Sequence, residues 1–134
     1  MSLAAHRAWY ARRWQGYDTA ARGRAGERLA AIFLQTKGFH VICRNWQRGH
    51  HEIDLVMRDA DVLVFVEVRT RPADAFVPGF ESLTRDKRRA LRQGMEDYLR
   101  RVPRPPQTWR CDVVEVMHDA QARLRWAHYS GVSL

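Results

Sequence analysis

The chain has 134 residues, of which 46% are hydrophobic and 28% charged, a composition typical of one globular domain with a single sizeable core. No apolar run approaches about 18 residues and the N-terminus lacks the apolar segment of a signal peptide, so we expect no membrane span and a cytoplasmic location. The net charge of +8, from 23 basic residues, indicates an anionic partner and favours nucleic acid over a membrane surface.

Residues 1–22 combine arginines with several aromatic side chains, and Gly16 and Gly23 interrupt the helical pattern. We expect a basic N-terminal arm, helical or disordered in part, followed by a single domain over residues 23–134. The aromatic side chains of the arm either dock on that domain or stack on bases, and docking is favoured.

The pattern of residues 23–37 predicts a helix that ends at Gly38, because glycine is common just past a helix C-terminus. Glu27 precedes two alanines and Leu34 at helical spacing, so its carboxylate points along an apolar face. It either pairs with an arginine at the helix margin or points at the polar end of the hairpin that follows.

Residues 39–45 predict a first strand, and two runs rich in Val, Ile and Leu, at 50–57 and 62–69, predict a β-hairpin. The second run is apolar at five successive positions, which is typical of a strand covered on both faces. If a two-residue loop at 60–61 connects the strands, Asp54 faces Glu67 and Glu52 faces Arg69. All four charged side chains then share one face of the hairpin.

Two carboxylates that face each other, with Cβ atoms roughly 4.5–5.5 Å apart, destabilise the hairpin unless something bridges them. A divalent cation that prefers oxygen ligands, such as Mg²⁺, is one hypothesis. The alternative is a structural ion-pair network in which Arg69 neutralises the carboxylates. Both hypotheses require the loop length assumed above, because a shift of one residue moves every side chain to the other face.

Three other polar or sulfur-containing sites have structural interpretations. His50 and His51 are adjacent, so in a strand they point to opposite faces and cannot chelate a metal together, and we expect solvated turn histidines. Cys43 and Cys111 lie in predicted strands without metal-ligand spacing, which favours reduced thiols over a disulfide. Asp112, a lone carboxylate in a later strand, is expected to pair with an arginine.

Residues 70–84 contain prolines and glycine and predict a mobile loop, after which Thr84 is the expected N-cap of a helix that extends to about Arg101. Lys87 lies four residues before Leu91 on the apolar line of this helix, so it faces the core from the first turn. Arginines around Lys87 form a basic helix start that favours anions, or else a solvated charge run. Residues 109–117 and 123–129 predict two final strands.

Several motifs follow one another in the order seen in a known bacterial family. They are Gly23–Ala30 (GRAGERLA), Lys37–Phe39 (KGF), Arg44–Trp46 (RNW), Glu52–Leu55 (EIDL), Val64–Arg71 (VFVEVRTR), Lys87–Arg89 (KRR) and Asp112–Val114 (DVV). On these motifs the chain resembles, over roughly residues 23–117, the YraN-like family of predicted endonucleases. That family is placed in the restriction-endonuclease-like superfamily, near archaeal Holliday-junction resolvases.

The resemblance implies an α/β fold with an αβββαβ core, in which helices flank a mixed central sheet. It also implies an endonuclease that uses Mg²⁺ or Mn²⁺ to hydrolyse phosphodiester bonds of DNA, in branched or damaged structures. The superfamily pattern is a helix glutamate, a strand aspartate and a Glu-x-Lys. Glu27, Asp54 and Glu67 match the acidic positions, and Arg69 takes the place of the lysine.

This replacement matters because an arginine, with a pKa above about 12, is a poor general base. Members of the superfamily sometimes supply the lysine from the next helix, where Lys87 is positioned. By the resemblance, Asp54, Glu67 and the Val68 carbonyl would hold the metal, and Glu27 would bind it or orient its water. The expected phosphate contacts are Arg24, Arg71, Lys87 and Arg88.

Two alternatives to a nuclease are open at this point. The chain could be a non-catalytic nucleic-acid-binding module that retains the nuclease fold, as Arg69 suggests, or an interaction module for DNA-repair or recombination proteins. Cleavage of two strands would favour a two-fold homodimer. Residues 128–132 do not match the family, so no role is transferred to them.

Overall fold

A five-stranded mixed sheet forms the centre of the computed structural model, which describes residues 1–74, 81 and 83–134. The strands are β1 (His40–Arg48), β2 (His51–Asp59), β3 (Val62–Pro72), β4 (Trp109–His118) and β5 (Leu124–Tyr129). They lie in the order β1-β2-β3-β4-β5; β3 and β4 are parallel, and the other neighbours are antiparallel. The helices are α1 (Leu3–Arg13), α2 (Thr19–Thr36) and α3 (Arg85–Arg101), with a 3₁₀ turn at Trp14–Gly16.

The two longer helices cover opposite faces of the sheet. Val64 and Val66 of β3 pack in one core cluster with Leu34 of α2, whereas Phe65 packs in another with Tyr98 of α3. The five apolar positions of β3 are therefore covered on both sides, as the sequence predicts for a buried strand. The α/β fold class and the αβββαβ order, consistent with a restriction-endonuclease-like core, are confirmed.

The β2–β3 hairpin has the predicted register. Paired residues run from Asp59–Val62 at the loop to Leu55–Val66, which requires the two-residue loop at Ala60 and Asp61. Ala60 has φ 51, the positive backbone angle that favoured two-residue hairpin turns require.

The N-terminal arm is helical and packed against the rest of the chain. Trp14 is fully buried, and it lies with Leu29 of α2 and Leu124 of β5 in one apolar cluster, so the aromatic side chains dock rather than face solvent. Helix α2 begins at Thr19, and the expectation that Gly23 interrupts the helix is wrong. Asp18 supplies the N-cap, since its Oδ1 accepts a hydrogen bond from the Ala21 amide at 2.8 Å.

Other boundaries differ from the sequence prediction by a few residues. Strand β1 continues to Arg48, and β3 continues to Pro72 within the predicted loop, whose residues 75–80 and 82 lie outside the described residues. Thr84 is the N-cap of α3, as predicted. Both cysteines are free thiols. In the described part of the chain, no helix combines the length and the apolar character needed to cross a bilayer.

Candidate active site

Strands β2 and β3 separate at a fork just beyond their last paired residues, Leu55 and Val66. Past this point β2 remains paired with β1, and β3 remains paired with β4. Asp54 and Glu67 are the first residues inside the fork, so the hairpin register and its early end together bring the two carboxylates to the same place.

Beyond the last pair, the backbone of β3 has no hydrogen-bond partner on β2, and the Asp54 side chain takes that place. Its Oδ2 accepts a hydrogen bond from the Val68 amide at 2.8 Å. Because the N–H and C=O of one strand residue point to the same side, the Val68 carbonyl also points towards the fork. The fork therefore contains a backbone oxygen besides the two carboxyl groups.

An irregularity in β2 aims Asp54 into the fork. The β1–β2 ladder omits Asn45 and Asp54, and Asn45 has φ 50, unusual for a residue with a side chain. Ile53 packs on the α3 side and Leu55 on the α2 side, although regular alternation would place both on one face. The change of face occurs at Asp54.

Glu67 is buried, with 6% of its surface exposed, and its carboxyl group hydrogen-bonds with that of Asp54. Burial, followed by the charge of Asp54, raises the pKa of Glu67 to about 7, against the opposing charges of Lys87 and Arg69. Burial is also the main cause that raises the pKa of Asp54. Asp54 therefore disfavours the ionised form of Glu67, whereas the hydrogen bond with Glu67 favours the ionised form of Asp54.

Lys87 faces the fork from the first turn of α3, where helical spacing predicts it. Its Nζ lies 3.5 Å from Oε1 of Glu67, and its side chain is 42% exposed. The Thr84 hydroxyl accepts a hydrogen bond from the Lys87 amide at 3.1 Å, which fixes the start of the helix. In a Glu-x-Lys motif, the lysine two residues after Glu67 would lie beside that carboxylate. Here Lys87 of α3 lies beside it instead.

Arg69 lies two residues beyond Glu67 on the same face of β3 and is half-buried. Its charge lowers the pKa of Glu67, and it lies in register with Glu115 of β4. The predicted alignment of Glu52 with Arg69 is wrong, because the β2–β3 ladder ends before it and Glu52 faces Gln47 of β1 instead.

Glu27 is half-buried on α2, on the same helix face as the buried side chains predicted to accompany it. Burial, and then the charges of Asp54 and Glu52, raise its pKa to about 7, while Arg24 and Arg28 oppose the shift. Glu27 therefore interacts electrostatically with the carboxylates of β2 from the α2 side of the sheet.

A cleft of about 220 Å³ opens beside Glu27. It is lined by Arg24, Glu27, Arg28, Arg44, Asn45 and Leu55. Sequence analysis missed Arg28 and Arg44; the first could have been found one helical turn after Arg24. Helix α2 comes close to β3 at Gly26. A Cβ atom added at this position would overlap the Thr70 hydroxyl.

The remaining predicted phosphate contacts lie in different surroundings. Arg24 is exposed at the cleft, and Arg71 is near enough to Tyr129 to lower the pKa of that phenol against the effect of burial. Arg88 instead donates to two backbone carbonyls, from Nε to Leu83 at 3.2 Å and from Nη1 to Ser133 at 2.6 Å. These two hydrogen bonds tie Arg88 to the residue before the N-cap of α3 and to the C-terminal segment.

Asp112 is the structural partner of an arginine, as predicted. It is fully buried, and its carboxylate accepts from Arg110 Nε at 2.9 Å and the Gly131 amide at 3.0 Å, and lies 2.8 Å from His128 Nε2. Burial alone would raise the pKa of Asp112, but these hydrogen bonds outweigh it and hold the pKa below its usual range.

The oxygen atoms of the fork fit a cation of the Mg²⁺ type, but protein side chains alone would not complete its coordination shell. Across residues 1–74, 81 and 83–134, no three His, Cys, Asp or Glu side chains converge closely enough to hold a metal alone. Asp54, Glu67 and the Val68 carbonyl offer oxygen donors, and Mg²⁺ is commonly held by one or two carboxylates plus waters and substrate phosphates. The donor set matches that pattern.

Comparison with known proteins places these residues in a family. The model of a family described as "Uncharacterised protein family UPF0102" matches residues 26–116. A UPF0102 protein of Dichelobacter nodosus is 38% identical over 109 residues, covering 81% of this chain and 86% of the relative. One of Symbiobacterium thermophilum is 43% identical over 103 residues (77% and 87%), and one of Nocardia farcinica 40% over 100 residues (75% and 79%). The chain belongs to the UPF0102 family, which is the YraN-like family that its motifs resemble.

Proposed function

We propose that this protein is a metal-dependent endonuclease that hydrolyses phosphodiester bonds of DNA, with branched or damaged DNA as its substrate class. The observation that carries the proposal is the meeting of Asp54 and Glu67 in the β2–β3 fork, with Lys87 Nζ 3.5 Å from Glu67. The net charge of +8 supports a polyanionic substrate.

The buried pair of carboxylates is a poor choice for stability alone. Burial disfavours the ionised form of both carboxyl groups, and the charge of Asp54 further disfavours ionisation of Glu67. Acidic groups perturbed in this way concentrate at functional sites. Asp54, Glu67 and the Val68 carbonyl would hold Mg²⁺ or Mn²⁺. When bound, the cation supplies charge stabilisation at the scissile phosphate and makes a water molecule more acidic.

The other residues then have separate roles. Lys87, whose ammonium group is partly exposed, donates hydrogen bonds to the attacking water and the phosphate. Arg69 is always charged, so it stabilises negative charge on the phosphate but does not take up a proton. Glu27 orients water from the α2 side, and Arg24 and Arg71 contact phosphates of the bound strand.

The direct test is cleavage of matched linear, nicked and four-way DNA substrates with Mg²⁺ or Mn²⁺. We expect Asp54→Asn to lose about 10²-fold or more of the rate, the usual scale for removing a group that acts on the reacting atoms. Asp61→Asn is the matched control, because it makes the same change in the exposed loop of the same hairpin. Equal rates for wild type and Asp54→Asn, or no cleavage of any substrate by wild type, would contradict the proposal.

A second candidate is a non-catalytic nucleic-acid-binding module, which Arg69 at the usual lysine position favours. It predicts salt-dependent DNA binding that neither Asp54→Asn nor the cation changes, with no cleavage. A role in a complex with DNA-repair or recombination proteins is compatible with either candidate. Cleavage of two strands by the nuclease would favour a two-fold dimer.

A further inference from the structure

A second charged cluster surrounds Asp97 near the end of α3. The Asp97 carboxylate is contacted by Arg101 Nε at 3.1 Å, His51 Nδ1 at 3.2 Å, Arg100 Nη2 at 3.7 Å and Arg48 Nε at 3.9 Å. The hydrogen bond with His51, followed by the charge of Arg101, lowers the pKa of Asp97 against the effect of burial. Three guanidinium groups thus share one ionised carboxylate.

The cluster presents its positive charge outwards. The Asp97 side chain is 8% exposed, whereas those of Arg48 and Arg101 are 53% and 45% exposed. Both arginines contact Asp97 through Nε, and among the described residues they make no other hydrogen bond or ion pair. Their terminal nitrogens therefore remain available to an external anion. The buried carboxylate orients Arg101 through a hydrogen bond and attracts Arg48 as an ion-pair partner.

The cluster is close to the fork. His51 precedes Asp54 by three residues on β2, a separation of about 10 Å at about 3.3 Å per strand residue. Helix α3 is tight against this end of β2, since a Cβ atom at Gly94 would lie 3.6 Å from both His51 Cβ and Ile53 Cγ1. One DNA strand carries a phosphate about every 3.4 Å of helix axis, so a strand at the fork reaches the cluster within about three phosphates.

We propose that Arg48, Arg100 and Arg101, positioned by Asp97, bind backbone phosphates of the nucleic acid a few nucleotides from the phosphate in the fork. The inference rests on the proposed function and adds the residues that set the position of the strand. Phosphate contacts fix register and orientation without reading bases, so this surface binds independently of sequence. Asp97 acts as a positioning residue through the arginines.

The test is fluorescence anisotropy of a labelled DNA duplex over a range of salt concentrations, in EDTA so that cleavage does not interfere. The variant is Arg48→Gln with Arg101→Gln. Arg12→Gln with Arg125→Gln is the charge-matched control, because both of these arginines are exposed and lie on α1 and β5. We expect the first pair to reduce the slope of log K against log salt by about 2, at about 0.9 per phosphate contact, and the control to leave it unchanged.

The possible results separate the inference from the proposed function. If wild type binds and cleaves DNA and the Arg48/Arg101 variant has the wild-type slope, or the control loses as much slope, the inference fails alone. If wild type neither binds nor cleaves DNA, the proposed function fails and the inference with it. A lower melting temperature with an unchanged slope would show that the cluster is purely structural.

Asp97→Asn tests the positioning role separately. The change adds one unit of positive charge to the surface, so a simple charge effect would strengthen DNA binding. We expect weaker binding, because the guanidinium groups lose the anchor that holds them, and we expect Asp97→Glu to restore part of it. Binding tighter than wild type in Asp97→Asn would overturn the positioning role.

Discussion

Replacing Glu67 with glutamine should stabilise the cation-free protein at neutral pH, even though we expect the change to abolish nuclease activity. Glu67 is buried, and its pKa is raised from 4.5 to about 7. When an acid has a higher pKa in the folded state than in the unfolded chain, the free energy of unfolding falls as pH rises between these two values. Glutamine has a similar shape and does not ionise, so it removes this loss.

The size of the effect follows from the shift. A change from 4.5 to about 7 corresponds to about 3 kcal/mol at about 1.36 kcal/mol per unit. This value is a ceiling, because Asp54 shares the titration and glutamine loses the ion pair with Lys87, worth up to about 1 kcal/mol for a partly exposed partner. We expect a net gain of about 1–2 kcal/mol at about pH 8, which disappears near the unfolded pKa of about 4.5.

Urea denaturation in EDTA, at about pH 8 and about pH 4.5, measures this difference. Asp112→Asn is the control with the opposite sign. The pKa of Asp112 is lowered, so its ionised form stabilises the fold above the unfolded pKa, and this contribution is lost as pH falls through the folded pKa. The reasoning is refuted if Glu67→Gln is no more stable than wild type at about pH 8, or if its gain is the same at both pH values.

Two further predictions concern the packing of α2 and of the N-terminal arm. Gly26→Ala should lower the free energy of unfolding by about 1–3 kcal/mol, because the added Cβ meets the Thr70 hydroxyl, whereas Gly23→Ala in the same helix has open space and should be neutral or stabilising by up to about 1 kcal/mol. Equal effects in urea denaturation would contradict the close approach of α2 to β3. Trp14→Ala should cost about 3–5 kcal/mol and expose the arm to limited proteolysis, because Trp14 is fully buried. Trp14→Phe is the control, because it keeps a packed ring and removes an indole N–H that has no partner among the described residues. A loss of less than about 1 kcal/mol for Trp14→Ala would disprove docking of the arm.

The hairpin and the lysine of α3 could be predicted because local rules determine them. The loop at Ala60 and Asp61 sets the register, and that register places Asp54 and Glu67 at corresponding positions just beyond the last paired residues. Helical spacing from Leu91, with the N-cap at Thr84, places Lys87 towards the core. Neither prediction needs information about distant parts of the chain.

The features that sequence analysis missed depend on contacts between distant segments. The fork opens where Asp54 leaves the β1–β2 ladder, opposite the unusual backbone of Asn45. Helix α2 continues through Gly23, since the Asp18 cap and the burial of Trp14 outweigh the low helix propensity of glycine. Propensity and alternation alone do not contain this information.

The cluster around Asp97 was missed for the same reason. It requires the turn between β1 and β2 to meet the end of α3, and the two segments are far apart in sequence. A single acidic residue among arginines near a helix end is a weak signal by itself, because exposed pairs of this kind are common on helices.

Calorimetric titration with Mg²⁺ or Mn²⁺ tests the central claim most directly, namely that Asp54 and Glu67 share one cation. Wild type, Asp54→Asn and the loop control Asp61→Asn would be titrated alone and with a duplex that has non-hydrolysable linkages. The account predicts one site per chain in wild type and Asp61→Asn, and no site in Asp54→Asn. Equal binding by Asp54→Asn, or no binding by wild type even with DNA present, would contradict it and favour a structural ion-pair network around Arg69.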